Sequence, residues 1–424
     1  MAFPRVLVIS PIRFNQQTGS GVTMSNLFRG WPRDAIAQIH SDDFTESDHT
    51  VCNRYLYLPP LPIERPRSLR AVVLNLIEFI SFVTGWQMPL RALLFMKEAL
   101  KWSRQFSPDL IYTRPSEQTI LHCWLPRQLA KEFGIPYVTR ILDDWPARYE
   151  ERQGLTNKFF RKPLLRKRLQ ALFDEAAINL GISVEMCSAY KERYGVRFVP
   201  FHNCIDIEEW AHLEKSYQVE GEFCIAYVGA VTEDKELGSL IDIRNAVLSL
   251  RQEGHLVRLQ IYGPELYEGT IEKYLAHPPG VVYGGSFHHE EKTAVLSRAD
   301  LLILPINFDS YSLAYVGYSF QTKVPEYMAS GTPVLVYGPP TSPNVRYASR
   351  DGWGLVVDQP DTGRIEEAII RLMEDSSLRA ELGRRARDLA FRNHNGKKVR
   401  RSFRRLMSEV AFGSLSAGQD NELR

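Results

Sequence analysis

Glu326 lies in a stretch, Lys323 to Val336, whose spacing suits the binding of an anion beside a diol. The carboxylate sits near the start of a short helix that Gly331 should end, and the apolar run after Pro333 reads as a buried strand. Amide N–H groups at the positive end of a helix suit phosphate oxygens, and a carboxylate suits ribose hydroxyls, so the two together suit a nucleotide. Taken alone, Glu326 would read as a surface glutamate on a packing helix; its neighbours change that. A second anion-binding candidate is Gly19-Ser20-Gly21, which follows the apolar run Val6 to Ser10 and precedes a helix from about Val22 to Arg29. Glycines there let the backbone approach an anion closely.

The elements that must carry these residues alternate. A second opening of the same kind begins with a strand at Phe223 to Val228, continues through Gly229 and a polar loop to Lys235, and enters a helix from about Leu237 to Glu253. Val257 to Tyr262 follows as strand, Lys292 to Arg298 as helix and Leu301 to Pro305 as strand. Strands alternating with helices predict an α/β fold with two parallel, doubly wound sheets. At 424 residues the chain is long enough for about two domains. The expected division is residues 1–215, residues 216–395 and a terminal helix with its tail, 396–424, with Glu208 to Glu222 as the linker.

Composition narrows the class. Hydrophobic residues at 44% and charged residues at 24% are those of a globular protein, and 52 Lys and Arg against 50 Asp and Glu leave no global field that would call for nucleic acid. Cys52, Cys123, Cys187, Cys204 and Cys224 are widely spaced, which fits reduced thiols in a cytoplasmic setting. The first apolar run reads as a core strand, so no cleavable leader is expected. No metal site is expected: the His288-His289 pair does not share a face easily, and there is no Asp-x-Asp triplet. Neither a G-x-S-x-G elbow nor a Walker loop is present, so hydrolase and ATPase chemistry get no support.

Glu326, Met328-Ala329-Ser330-Gly331 and Pro333-Val334-Leu335 together resemble the donor-binding signature of the family 4 retaining glycosyltransferases of the GT-B fold. The resemblance implies two Rossmann-like domains facing a central cleft, with a C-terminal helix crossing back to the first. It implies Glu326 as the ribose ligand, and Gly229 and Lys235 as the glycine and lysine that meet the donor diphosphate. The arginine usual just after that glycine is replaced by Ala230, and Lys323 is the candidate to compensate. The earlier glutamate that contacts the sugar is replaced by Tyr318, with Asp309 as a candidate substitute. Gly284-Gly285-Ser286-Phe287 looks like the loop at the base, with Phe287 a core residue or a base contact. Asp143-Asp144-Trp145-Pro146 resembles the family's His-Asp segment with Leu142 in place of histidine, so Asp143 would either orient an acceptor hydroxyl or balance Arg140. Gly19-Ser20-Gly21 matches the family's N-terminal glycine loop.

The expected activity is transfer of a sugar from a nucleotide-diphosphate sugar to a glycan or lipid-linked acceptor, without a further cofactor. A nucleotide-sugar epimerase and a degenerate binding partner are the alternatives. Two segments would bring such an enzyme to an anionic membrane as a peripheral protein. One is the apolar run Ala71 to Trp86 with Arg65, Arg67, Arg70 and Arg91 around it. The other is Asn157 to Ala176, where Leu165, Leu169, Leu172 and Ala176 form a stripe under Lys158, Arg161, Lys162, Arg166, Lys167 and Arg168. Each segment reads equally as a helix packed at a domain surface.

Overall fold

The structure, a computed structural model, describes residues 2–59, 93–118, 120–151, 154–155, 157–286 and 289–413. The apolar run Ala71 to Trp86 and Phe287 and His288 lie outside the described residues. The chain divides into two compact units, Met1–His202 with Arg400–Arg424, and Asn203–Val399.

The first unit is built on β1 (Val6–Ser10), β2 (Ile36–His40), β3 (Arg54–Tyr57), β4 (Leu110–Thr113), β5 (Tyr137–Ile141), β6 (Ile178–Gly181) and β7 (Phe198–Pro200). They form one parallel sheet in the order β3-β2-β1-β4-β5-β6-β7. β1 is buried along its whole length, as a run of branched apolar residues covered on both faces should be. The order reverses between β1 and β4, and a crevice at the carboxyl ends of the strands is expected at such a point. Gly19-Ser20-Gly21 follows β1 there.

The terminal helix Gly396–Phe412 contributes residues from Arg400 onward to this same unit. Phe403 is fully buried, with its ring 5.2 Å from Phe28 and 5.8 Å from Phe201. Helical spacing thus places Phe403, Met407 and Val410 inward, and all three are buried. The helix Lys162–Glu175 likewise buries Leu165, Leu169 and Leu172, while Ala176 is half-buried at its cap. On its outer side Lys162 and Arg166 both pair with Glu150.

The second unit carries β8 (Phe223–Val228), β9 (Val257–Tyr262), β10 (Val281–Gly285), β11 (Leu301–Pro305), β12 (Val334–Tyr337) and β13 (Leu355–Val357). These are also all parallel, in the order β10-β9-β8-β11-β12-β13. Its reversal falls between β8 and β11. The polar stretch from Glu208 to Glu222 packs within this unit: Trp210 is buried in its core, Lys215 donates to the carbonyls of Ser297 and Ala299, and Tyr217 donates to that of Gly331. Among the described residues no helix is long and apolar enough to cross a membrane, and no cluster of His, Cys, Asp or Glu forms a metal site.

Candidate functional site

In the second unit, the loops after β8 and β11 and the helix Val324–Ala329 meet at the strand reversal. Tyr327 fastens that helix to the end of β8, its hydroxyl accepting from the Val228 amide at 2.8 Å and donating to the Val228 carbonyl at 3.1 Å. Gly331, at φ +74°, ends the helix in the left-handed region open to glycine, and the chain turns into β12. Glu326 therefore sits in the first turn of a helix with both ends fixed, and it is only 8% exposed.

Lys323 is the residue just before this helix. Its ammonium lies 4.1 Å from the centre of the Tyr227 ring and donates to the Tyr227 hydroxyl at 2.6 Å, while that hydroxyl donates onward to the Ala230 carbonyl. A Cβ on Gly229 would stand 2.5 Å from Lys323 Nζ, so glycine is required for the ammonium to reach this place. Burial holds the Lys323 pKa down to about 8, helped by the nearby Lys235 and opposed by Glu236 and Glu326.

Lys235 reaches the same region from the loop after β8, its ammonium 4.9 Å from the centre of the Tyr315 ring. The loop is pinned by Asn307, which follows β11: its amide donates to the Lys235 carbonyl, its side-chain oxygen accepts from Ser239, and its Nδ2 donates to the Glu233 carbonyl. Glu236, buried beside the two lysines, accepts from Thr232, and burial raises its pKa.

Glu326 Oε1 accepts from Lys292 Nζ at 2.9 Å. Lys292 and Asn307 were not singled out by sequence reasoning; a basic residue in the first turn of the helix after the Gly-Gly turn was the available signal for Lys292. Asp309 caps the helix Ser310–Val316, its two oxygens accepting from the Ser312 amide and hydroxyl at 2.8 and 2.7 Å. Tyr318 is 37% exposed. Gly284 and Gly285 end β10, and Ser286 after them is exposed.

In the first unit, Thr18 caps the helix Gly19–Phe28 by accepting from the Gly21 amide at 3.1 Å. Arg114, directly after β4, donates to the Ser20 hydroxyl at 3.1 Å, so a guanidinium stands at this glycine loop. The two neighbouring aspartates after β5 part company. Asp144 is buried and receives both guanidinium nitrogens of Arg193 at 2.7 Å and the Tyr190 hydroxyl at 2.9 Å. Asp143 is half-buried. Arg140 donates to the Phe201 carbonyl at 2.9 Å and makes no ion pair among the described residues.

Residues 222–375 match the family model described as glycosyl transferases group 1. Among solved structures, the chain resembles sucrose-phosphate synthase from Thermosynechococcus elongatus at 16% identity, covering 97% of this chain and 100% of that one with a TM-score of 0.66. HepE from Anabaena, in complex with UDP and glucose, matches at 13% identity over 96% and 99% of the two chains, TM-score 0.63. The chain has the GT-B fold of these structures, and its second unit carries the match to glycosyl transferases group 1. WaaG, a glycosyltransferase involved in lipopolysaccharide biosynthesis, matches at 13% identity over 95% and 99%, TM-score 0.60. At such identities the structural likeness is one of fold. No curated protein sequence matches the chain. Its family match opens at Glu222, just before β8, and takes in Lys235, Lys292, Lys323 and Glu326.

Proposed function

We propose that the protein is a glycosyltransferase that takes a nucleoside-diphosphate sugar as donor and passes its sugar, with retention, to a glycan or lipid-linked acceptor. The observation that carries the reading is the approach of two ammonium groups, Lys235 and Lys323, to one loop, beside the buried carboxyl of Glu236, whose pKa burial raises. Two cations gathered on one loop suit a ligand that brings its own negative charge. Lys235, Lys323 and the backbone at Gly229 would take the diphosphate, and Glu326 the ribose hydroxyls. The turn at Gly284 to Ser286, with Phe287, would take the base.

Bond breaking leaves growing negative charge on the diphosphate, and ammonium groups already in place stabilise it without reorganising. The acceptor oxygen forms its bond to the anomeric carbon on the face the diphosphate leaves. Its proton passes to a phosphate oxygen of the leaving group, and the sugar–phosphate bond breaks. Asp143 would orient the acceptor hydroxyl, and Gly19, Ser20 and Gly21 would supply amide donors for an anionic group in the first unit. Asp309 remains the candidate carboxylate for the transferred sugar, reached by releasing Ser312.

The acceptor side includes a proposed contact with the inner face of an anionic membrane. Leu155 and Phe159 are 75% and 64% exposed, beside Lys158, Arg161 and Lys167. Each basic residue near such a surface contributes about 1 kcal/mol of attraction.

The HepE complexes hold UDP, which makes UDP the first nucleotide to try. Thermal-shift titration of the full chain with UDP, GDP, ADP and CMP, followed by time-resolved product analysis with the sugars of whichever nucleotide binds, tests the reading. Stabilisation by one nucleoside diphosphate and transfer from its sugar are expected. Folded protein that neither binds nor turns over any donor refutes it, and equal flotation with neutral and anionic vesicles refutes the membrane contact.

A further inference from the structure

Glu326 and Lys323 influence each other's charge, yet the hydrogen bond of the Glu326 carboxylate goes elsewhere, to Lys292 at 2.9 Å. Lys292 is the fourth residue of the helix His289–Arg298. A cation near the positive end of a helix is unfavourable for that helix, so the position is not explained by local stability. The pair is largely buried, with side chains 16% and 11% exposed. Glu326 Oε2 accepts no hydrogen bond among the described residues. The helix that carries Lys292 also follows directly on the turn proposed to hold the base.

We infer that Lys292 is a positioning residue for nucleoside recognition: its ammonium fixes Glu326 Oε1, so that Oε2 is held ready for a ribose hydroxyl. The same bond ties the helix behind the base turn to the helix that bears the ribose carboxylate, so base and ribose are read in one register. It also keeps Glu326 from collapsing onto Lys323, whose charge is left for the diphosphate. An unanchored carboxylate would pair with Lys323 and lose both its aim and its selectivity. The inference rests on the nucleotide reading above.

The test is isothermal titration calorimetry on the full chain. It uses whichever of UDP, GDP and ADP binds tightest, together with its 2′-deoxy and 3′-deoxy analogues. A hydrogen bond to a charged group implies that the wild type prefers the ribonucleotide over at least one deoxy analogue by roughly tenfold or more. Lys292→Met and Lys292→Gln should cut that preference to about threefold or less, and Lys292→Arg should restore most of it, as loss and return of one charged anchor would. General loosening would weaken all ligands alike and leave the ratio unmoved. Circular dichroism identifies which variants are folded, and two substitutions keep the test open if one is not. Should folded Lys292→Met or Lys292→Gln keep the wild-type ratio while Glu326→Ala abolishes it, the nucleotide reading stands and the role of Lys292 falls. Should the wild type bind none of the nucleotides, both fall.

Discussion

Replacing Lys323 with methionine should make the empty protein more stable and the nucleotide-bound protein less so. The Lys323 pKa is lowered from 10.5 to about 8, and at about 1.36 kcal/mol per pKa unit this corresponds to a cost of about 3 kcal/mol for holding the charged form in the folded state. The side chain keeps some exposure to solvent, so we discount the cost to about 2 kcal/mol. Methionine keeps the apolar stem against Tyr227 and removes the charge. It also removes the hydrogen bond to the Tyr227 hydroxyl, which returns about 1 kcal/mol of the gain. The net expectation is about 1 kcal/mol of added stability at neutral pH, a rise of about 2–4 °C for a unit of this size.

The pH dependence has a definite sign. The folded-state pKa lies below the unfolded value, so the penalty is full below pH 8, fades between pH 8 and 10.5, and is gone above that window. Lys323 therefore makes the wild type gain stability as pH rises through this range, and the variant should lack that contribution. A diphosphate supplies the missing countercharge, so wild-type affinity should be highest below pH 8 and fall as the ammonium deprotonates. Scanning calorimetry of both proteins from pH 6.5 to about 10, with and without UDP, measures each part. A variant that melts below the wild type without ligand, or that keeps the full UDP-induced shift, would refute the reasoning.

Glu326→Ala should weaken UDP binding by roughly 10- to 100-fold through the loss of charged hydrogen bonds to ribose, measured by calorimetric titration; unchanged affinity would remove Glu326 from the site. Gly229→Ala puts a Cβ 2.5 Å from Lys323 Nζ and should displace the ammonium, lowering UDP affinity while circular dichroism stays that of the wild type. Its accompanying loss of stability, about 1–3 kcal/mol for a side chain held at φ +153°, is read from thermal melts. Phe403→Ala should destabilise the first unit by about 3–5 kcal/mol, because the ring is fully buried among Phe28, Tyr112 and Phe201; a melt shifted by less than a degree would show that the terminal helix does not hold that core.

The strands were legible because parallel strands covered on both faces read as unbroken apolar runs. Val6 to Ser10, Phe223 to Val228 and Leu301 to Pro305 form where those runs lie, and Val257 to Tyr262, which alternates apolar residues with Arg258 and Gln260, forms as strand as well. Gly331 and Pro333 bounded the helix bearing Glu326 for equally local reasons. What sequence did not disclose depends on contacts between distant residues. Lys292 precedes Glu326 by 34 positions, and nothing in a helix pattern says that the two meet. The stretch from Glu208 to Glu222 has a linker's composition, yet it hides Trp210 and the hydrogen bonds of Lys215 and Tyr217 inside the second unit. Asp143 and Asp144 are adjacent and chemically alike; only the approach of Arg193 and Tyr190 from a later helix assigns Asp144 to structure.

The way the second unit holds its cations explains how it can present charge to a ligand at all. A lysine fixed by a carboxylate is already neutralised and has little left for a phosphate. Lys235 and Lys323 are held against the faces of Tyr315 and Tyr227, contacts that orient an ammonium. Glu236, beside them, is buried, and burial raises its pKa. Glu326 is engaged by Lys292 instead. Burying the Lys323 ammonium carries a cost expressed in its lowered pKa. In the proposed donor site an arriving anion would relieve that cost, so part of the binding free energy would be set by the folding of this unit. These groups follow the carboxyl ends of β8 and β11, where the strand order reverses.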